Sequence, residues 1–435
     1  AAAVAALVGA GAADARTLPA EPLIASEWWL SHVGADQVDP PGPGVPVTIV
    51  DSGVDATNPD FAGRPDTTML NAQTTLGGEE EHGTAVASVI AAPANGLGLL
   101  GIYPDATLRS YDASPSPRGI FTASAVDGIE SAAASCPGVI NLSFGGRVRD
   151  PRIERAVLDA VHNGCLVVAA SGNERRFGSP PVYPAALPHV LTIGATDQSD
   201  AVARFSTASP GLDLVAPGVG IPVAVPSTDV QSGYDTLDGT SFAAPIVAGA
   251  AAWIWTLRPD LDASQLFDLL RASARDLGPP GWDPDTGYGM LNIPNALTMA
   301  PPPHDPSEPN DDVGQVQPGL LFTNGEPALT DPTHVTASVE ARVDKADDPH
   351  DVYRVWVPAH RRLVAQATTT GGTVAIHFWR GTTHSVNETR TARTRDLLGP
   401  RPTAGAHGFS AYVDVTPVGP EATIHYTLTV TAGSP

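Results

Sequence analysis

The chain has 435 residues, 42% hydrophobic and 16% charged, which suits a globular protein with a full core and makes two domains the default. Its 24 Lys and Arg against 47 Asp and Glu leave a formal net charge of −23 at pH 7. A surface this acidic argues against nucleic acid or an anionic membrane as partner and fits a secreted protein.

Ala1 to Ala15 are mostly small and apolar and end in Ala12-Ala13-Asp14-Ala15. That pattern reads as the apolar region and small-residue cleavage site of a secretory signal, so residues 1–20 are taken as a signal remnant. An Ala-rich helix of the mature chain is the alternative. The stretch is too short to cross a bilayer, and no later segment is expected to do so.

Residues 21–299 are read as the first domain, and from about Pro46 to Met299 short apolar runs alternate with amphipathic helical stretches. Val47-Thr48-Ile49-Val50, Val139-Ile140-Asn141-Leu142 and Leu166-Val167-Val168-Ala169-Ala170 read as strands buried on both faces. Helices are expected between them, over Thr122 to Ser135 and Pro151 to Asn163. Strand–helix alternation predicts an α/β unit, a parallel sheet with helices on both faces. Sites in such sheets gather at the carboxyl ends of the strands. Cys136 and Cys165 are the only cysteines and fall at the starts of two such strands. If the strands are neighbours a disulfide joins them; otherwise they are two buried thiols.

Composition shifts at Pro301-Pro302-Pro303-His304-Asp305-Pro306, where proline blocks helix and sheet alike, so residues 300–318 read as a linker. In residues 319–435 helical periodicity vanishes. Asp351 to Val357, Thr373 to Trp379 and Ile424 to Val430 alternate with period two, which predicts a C-terminal antiparallel β-sandwich. Asp344, Asp347, Asp348 and Asp351 offer oxygen ligands for calcium, but the run reads first as a solvated acidic loop.

Three short motifs carry the chemistry. Asp51, in Asp51-Ser52-Gly53, follows an apolar strand, so its carboxylate emerges at a strand's C-terminal end and can hold one imidazole nitrogen. His82, in His82-Gly83-Thr84, opens a buried helix. Ser241, in Gly239-Thr240-Ser241-Phe242-Ala243-Ala244-Pro245, starts an Ala-rich helix, where free N–H groups favour developing negative charge. Pro245 is expected inside that helix's first turn, where its missing N–H costs nothing. Asn173 follows a third buried strand, and its amide is placed to donate to an oxyanion together with the Ser241 N–H. Singly these are a turn aspartate, a structural histidine, an N-cap serine and a turn asparagine; jointly they point to nucleophilic acyl transfer.

With these motifs the chain resembles the subtilisin-like serine proteases, from about Trp28 to Met299. The resemblance implies that Asp51 orients His82, that His82 deprotonates Ser241, and that Asn173 holds the oxyanion. It makes Ser143, Phe144 and Gly145 the strand that pairs with substrate backbone beside the first specificity pocket, with Gly172 also in contact with substrate. Val182 and Tyr183 are read as lining that pocket and suit it to apolar or medium side chains. It also implies a structural calcium ion held by Asp60 and Asn95 with backbone carbonyls. Phe242 stands where the family more often has methionine, and Ala85 where a second histidine is usual. The segment before Asp51 is shorter than the folding-assistant propeptide of many relatives. The tail resembles the small pre-peptidase-type β-sandwich appended to many secreted bacterial peptidases. Taken together, the resemblance implies a secreted, monomeric serine endopeptidase acting on proteins or peptides. The alternative is a catalytically inactive binding protein on the same scaffold. An esterase or lipase would show Gly-x-Ser-x-Gly and the order Ser, Asp, His, which this chain does not.

Overall fold

The architecture is that of a computed structural model, which describes residues 17–433 apart from 74–81, 115–118, 227–231, 306, 388–395 and 420–422. Residues 1–16, most of the stretch read as a signal remnant, lie outside the described residues.

After a short helix α1 (Trp29–His32), the first unit runs β1 (Val47–Asp51), β2 (Thr67–Met69), α2 (His82–Ala91), β3 (Leu108–Asp112), α3 (Thr122–Ala133), β4 (Gly138–Leu142), α4 (Pro151–His162) and β5 (Cys165–Ala170). It continues with β6 (Val190–Thr196), β7 (Leu214–Pro217), the strand pair β8 (Ile221–Ala224) and β9 (Tyr234–Leu237), then α5 (Thr240–Leu257), α6 (Ala263–Ala272) and α7 (Ile293–Thr298). A seven-stranded sheet has the order β2-β3-β1-β4-β5-β6-β7, and every pairing in it is parallel.

The apolar runs form central strands because alternate residues face opposite layers. Leu166, Val168 and Ala170 of β5 join the core under α2, α5 and α6, whereas Val167 and Ala169 join the core under α3 and α4. Each such side chain contributes about 1.5–3 kcal/mol when fully buried. Gly138 of β4 pairs with Cys165 of β5, and the sulfurs of Cys136 and Cys165 are bonded, with Cα atoms 5.1 Å apart. The neighbouring-strand condition for the disulfide is therefore met.

One expectation needs correction. By length and composition α5 is apolar enough to cross a membrane, contrary to the sequence reading. Its apolarity has another cause: it is enclosed on nearly all sides, with Ala243 to Trp255 buried at the centre of the unit.

The second unit holds α8 (Val313–Val316) and strands β10 (Thr336–Asp344), β11 (Asp351–Val357), β12 (Arg362–Thr370), β13 (Thr373–Arg380), β14 (Phe409–Val418) and β15 (Thr423–Gly433). They pair antiparallel in two three-stranded sheets, β10-β15-β12 and β11-β14-β13, around Val343, Val355, Val413 and Leu428.

This sandwich seats on the amino ends of β6 and β7, away from the strand ends that carry the site. Arg271 of α6 reaches Asp213, just before β7, and Asp344 and Asp347; Arg342 of β10 reaches Asp268 and Asp344. His189, just before β6, bonds Asp311 at 2.7 Å. The acidic run is thus no solvated loop: Asp344, Asp347, Asp348 and Asp351 are all at most 3% exposed. Arg271, distant in sequence and so invisible to local charge patterning, joins the neighbouring Arg342 in holding Asp344 and Asp347 inside.

Candidate active site

Asp51 ends β1 and His82 begins α2, so the junction of those two loops decides whether they meet. Both motif glycines serve that junction. Gly53 has φ +87°, open to glycine, and a Cβ on Gly83 would fall 2.1 Å from the Gly53 carbonyl oxygen. Gly83 N–H also donates to Ser52 Oγ at 2.9 Å. The close approach lets His82 Nδ1 donate to Asp51 Oδ1 at 2.9 Å, with Oδ2 at 3.1 Å. Asp51 Oδ1 accepts a second bond, from Ser52 N–H at 2.7 Å, and the carboxylate is buried while the imidazole side chain keeps 29% of its exposure. Burial opposes a charged imidazole, but the Asp51 charge and hydrogen bond outweigh it and hold His82 above its ordinary pKa.

Ser241 is the second residue of α5. Pro245 is not in the first turn, as the sequence reading had it, but further in, where its absent N–H leaves the Ser241 carbonyl without its helical partner. Ser143 Oγ fills that vacancy, donating to Ser241 O at 2.9 Å. Ser241 Oγ in turn donates to the Ser143 carbonyl at 3.1 Å, rather than to His82. The reciprocal pair fastens the segment after β4 to the start of α5. The imidazole lies beside that start: its ring centroid is 5.7 Å from that of Phe242.

Asn173 follows β5. Its Oδ1 accepts from Thr240 N–H at 3.1 Å and Thr240 Oγ1 at 3.0 Å, which fixes the amide and leaves its NH2 group as a donor beside Ser241. Gly172, at φ +100°, passes so close to Val182 that a Cβ would meet Cγ2 at 2.7 Å; on the other side a Cβ on Gly145 would meet Val182 Cγ1 at 2.5 Å. Val182 therefore fills the space between these two glycines. It bounds a cavity of about 160 Å³ reached by Phe144, Gly145, Gly172, Asn173 and Ser241. A larger groove of about 500 Å³ continues past Phe144 and Gly145 to Asp51, His82 and Tyr183. Tyr183 lines this groove and Val182 the smaller cavity, so the two residues read together at one pocket divide between two.

A sequence model of the Subtilase family (peptidase S8) matches residues 42–289. The chain belongs to the subtilase family. It is 36% identical over 255 residues to Subtilisin E of Bacillus subtilis (strain 168), a match covering 58% of this chain and 65% of that protein's length. It is likewise 36% identical over 269 residues to Subtilisin Savinase of Lederbergia lenta, covering 61% of this chain and 96% of that one. In fold it is similar to the crystal structure of the psychrophilic subtilisin-like protease Apa1 from Pseudoalteromonas sp. AS-11. The TM-score is 0.54 at 21% identity, over 62% of this chain and 96% of that one.

Of the two calcium ligands expected from the family, Asp60 is buried with Oδ2 accepting from Leu99 N–H at 3.3 Å and Oδ1 unbonded. Asn95 is exposed, and its Oδ1 closes its own turn by accepting from Leu97 N–H at 2.9 Å. Sequence reasoning missed two acids here. Glu21 Oε1 accepts from Gly96 N–H at 3.1 Å with Oε2 buried and unbonded, and Glu27 takes Leu100 N–H with both oxygens, at 2.9 and 3.2 Å. Burial, opposed by those backbone bonds and reinforced by mutual repulsion, pushes Glu27 up to about 8 and Asp60 to about 6. Nothing in their spacing ties residues 21 and 27 to residue 60.

Proposed function

We propose that this subtilase is a secreted serine endopeptidase. The observation that carries the reading is the hydrogen-bonded Asp51–His82 pair in a groove that adjoins, across Ser143, Phe144 and Gly145, the cavity lined by Ser241 and Asn173. In the mechanism, Ser241 Oγ leaves the Ser143 carbonyl and turns to His82 Nε2, which takes its proton as the oxygen attacks the scissile carbonyl. Asp51 on Nδ1–H fixes the tautomer and stabilises the imidazolium. Asn173 Nδ2 and the Ser241 N–H, at the positive end of α5, bind the oxyanion. His82 then passes the proton to the leaving amine, and water repeats the sequence on the acyl-enzyme.

Substrate binds extended along Ser143, Phe144 and Gly145, with Gly172 flanking the first pocket, by strand addition. Val182 suits that pocket to small side chains. Residues 21–299 form the protease unit and 319–435 the appended sandwich, and the connection 300–318 ends in α8, whose Val313 and Val316 pack on Val352 and Trp379 of the sandwich. Working outside the cell agrees with the Cys136–Cys165 disulfide. A calcium ion fits the orphaned buried oxygens of Asp60 and Glu21, with Asn95 nearby in the 93–99 loop. Its role is structural: chelator lowers the melting temperature of the parent, and an Asp60→Asn chain that responds equally would remove this site.

Casein hydrolysis tests the activity. The parent cleaves it and Ser241→Ala, equally folded, does not; equal rates would assign cleavage to another source and favour the inactive binding scaffold.

A further inference from the structure

Where the sandwich meets the protease unit, four carboxylates converge that no step above uses. Asp305, Glu308, Asp348 and Asp351 each bring an oxygen to within 4.8 Å of the others. Asp305 is 5% exposed and Asp348 and Asp351 are 0% exposed; the Glu308 side chain keeps 5%. Packed carboxylates in the interior ordinarily find N–H or O–H donors, yet Asp305 Oδ1, both oxygens of Glu308, both oxygens of Asp348 and Asp351 Oδ1 meet none, and Glu308 and Asp348 face only each other's carboxyl at bonding distance. Asn310 is also fully buried, with neither amide atom bonded, and its carbonyl accepts from Val352 N–H next to Asp351.

The positive groups nearby do not neutralise the cluster. Arg342 is committed to Asp268 at 2.9 Å and Asp344 at 3.1 Å, and reaches Asp348 only at 3.7 Å. Its backbone N–H takes the other oxygen of Asp305 at 2.9 Å. His189 is held by Asp311 at 2.7 Å and stands 3.6 Å from Glu308. Tyr426 O–H donates to the second oxygen of Asp351. Burial, then mutual repulsion, drives Asp305, Asp348 and Asp351 well above the ordinary carboxylate range. A bound cation removes both penalties at once.

We propose that Asp305, Glu308, Asp348 and Asp351 form a calcium site that fastens the β-sandwich to the protease unit. The donor set is all oxygen, as a hard cation requires. Oxygens on a sphere of about 2.4 Å around calcium lie at most about 4.8 Å apart, and one oxygen from each of the four carboxylates falls within that limit of the others. Magnesium needs a tighter octahedron and keeps several waters, which a set of four buried carboxylates does not favour. A cavity of about 310 Å³, lined by His189, His304, Asp305, Glu308 and Arg342, supplies the entry path. The ion ties the segment entering the sandwich to the β10–β11 loop, and through Arg342 and His189 to α6 and the start of β6.

The test uses the full-length Ser241→Ala chain, which cannot digest itself, loaded with calcium chloride and desalted, with bound metal counted by mass spectrometry. Glu308→Gln/Asp348→Asn, checked for native circular dichroism, should hold one calcium fewer per chain than its parent; an unchanged count overturns the proposal. Should that variant fail to fold, Asp60→Asn decides instead: it must retain one calcium per chain, and a count of zero overturns the proposal. Calcium at this site should survive a ~100-fold excess of magnesium chloride, and displacement would overturn the choice of ion.

Discussion

Replacing Gly83 with alanine puts a Cβ 2.1 Å from the Gly53 carbonyl oxygen. Ordinary contact begins at 3.4 Å, so the start of α2 and the loop after β1 must part by 3.4 − 2.1, or about 1.3 Å. Transmitted to the side chains, that movement takes the 2.9 Å bond between His82 Nδ1 and Asp51 Oδ1 to about 4 Å, past hydrogen-bond range. A displacement of about 1 Å in a catalytic array costs ~100-fold in rate, and the overpacking costs about 1–3 kcal/mol of stability. Peptide-anilide hydrolysis across pH measures both consequences. The kcat/KM falls ~100-fold, and the acidic limb moves down towards the ordinary histidine value near 6.5, because the Asp51 charge that raises His82 has receded. Gly314→Ala is the control, since its added Cβ meets nothing within 4 Å. A folded Gly83→Ala enzyme within about threefold of the parent, with its acidic limb unmoved, would refute the claim that this glycine contact sets the Asp–His geometry.

In the parent, kcat/KM should rise with pH as His82 loses its proton, with a midpoint above the ordinary histidine value; Asp51→Asn should lower both the midpoint and kcat, the latter about 10,000-fold, and a smaller loss than tenfold would deny Asp51 its role. Val182→Ala removes the two methyls between Gly145 and Gly172, so the kcat/KM ratio for phenylalanine over alanine at the cleaved bond should rise ~10-fold or more. An unchanged ratio would mean that Val182 does not limit the first pocket. Replacing Cys136 and Cys165 together by alanine opens a 29-residue loop and should lower the unfolding free energy by about 3.6 kcal/mol in urea titrations, whereas no loss would mean the crosslink constrains little.

How much of the fold and site the sequence made legible depends on how locally each feature is encoded. Strands β1, β4 and β5 announce themselves because both faces are buried and most of their residues are apolar. β3 does not: Arg109 and Tyr111 are half-buried, so the run carries no apolar signature. Asp51 and His82 were legible as the end of a strand and the start of a helix, whereas the tight contact of Gly53 and Gly83 that brings the two side chains to 2.9 Å is a tertiary feature with no signal in the spacing. The fastening of Ser241 to Ser143 was not readable, since it depends on a carbonyl that Pro245 frees four residues on and a hydroxyl from the distant segment after β4. The acidic residues of the sandwich were misread for the same reason. Arg271, the partner of Asp344 and Asp347, lies some seventy residues away, and a charge run shows its burial only once that partner is in place.

The central claim is that Asp51, His82 and Ser241 act as one nucleophilic unit, and covalent labelling tests it most directly. The folded chain is treated with a serine-directed aryl phosphonate and the modified peptide located by mass spectrometry. One adduct per chain is expected, on Ser241, and none when the chain is denatured before the reagent is added or in folded His82→Ala. An unlabelled Ser241 in folded protein, or label that persists without His82, would contradict the account.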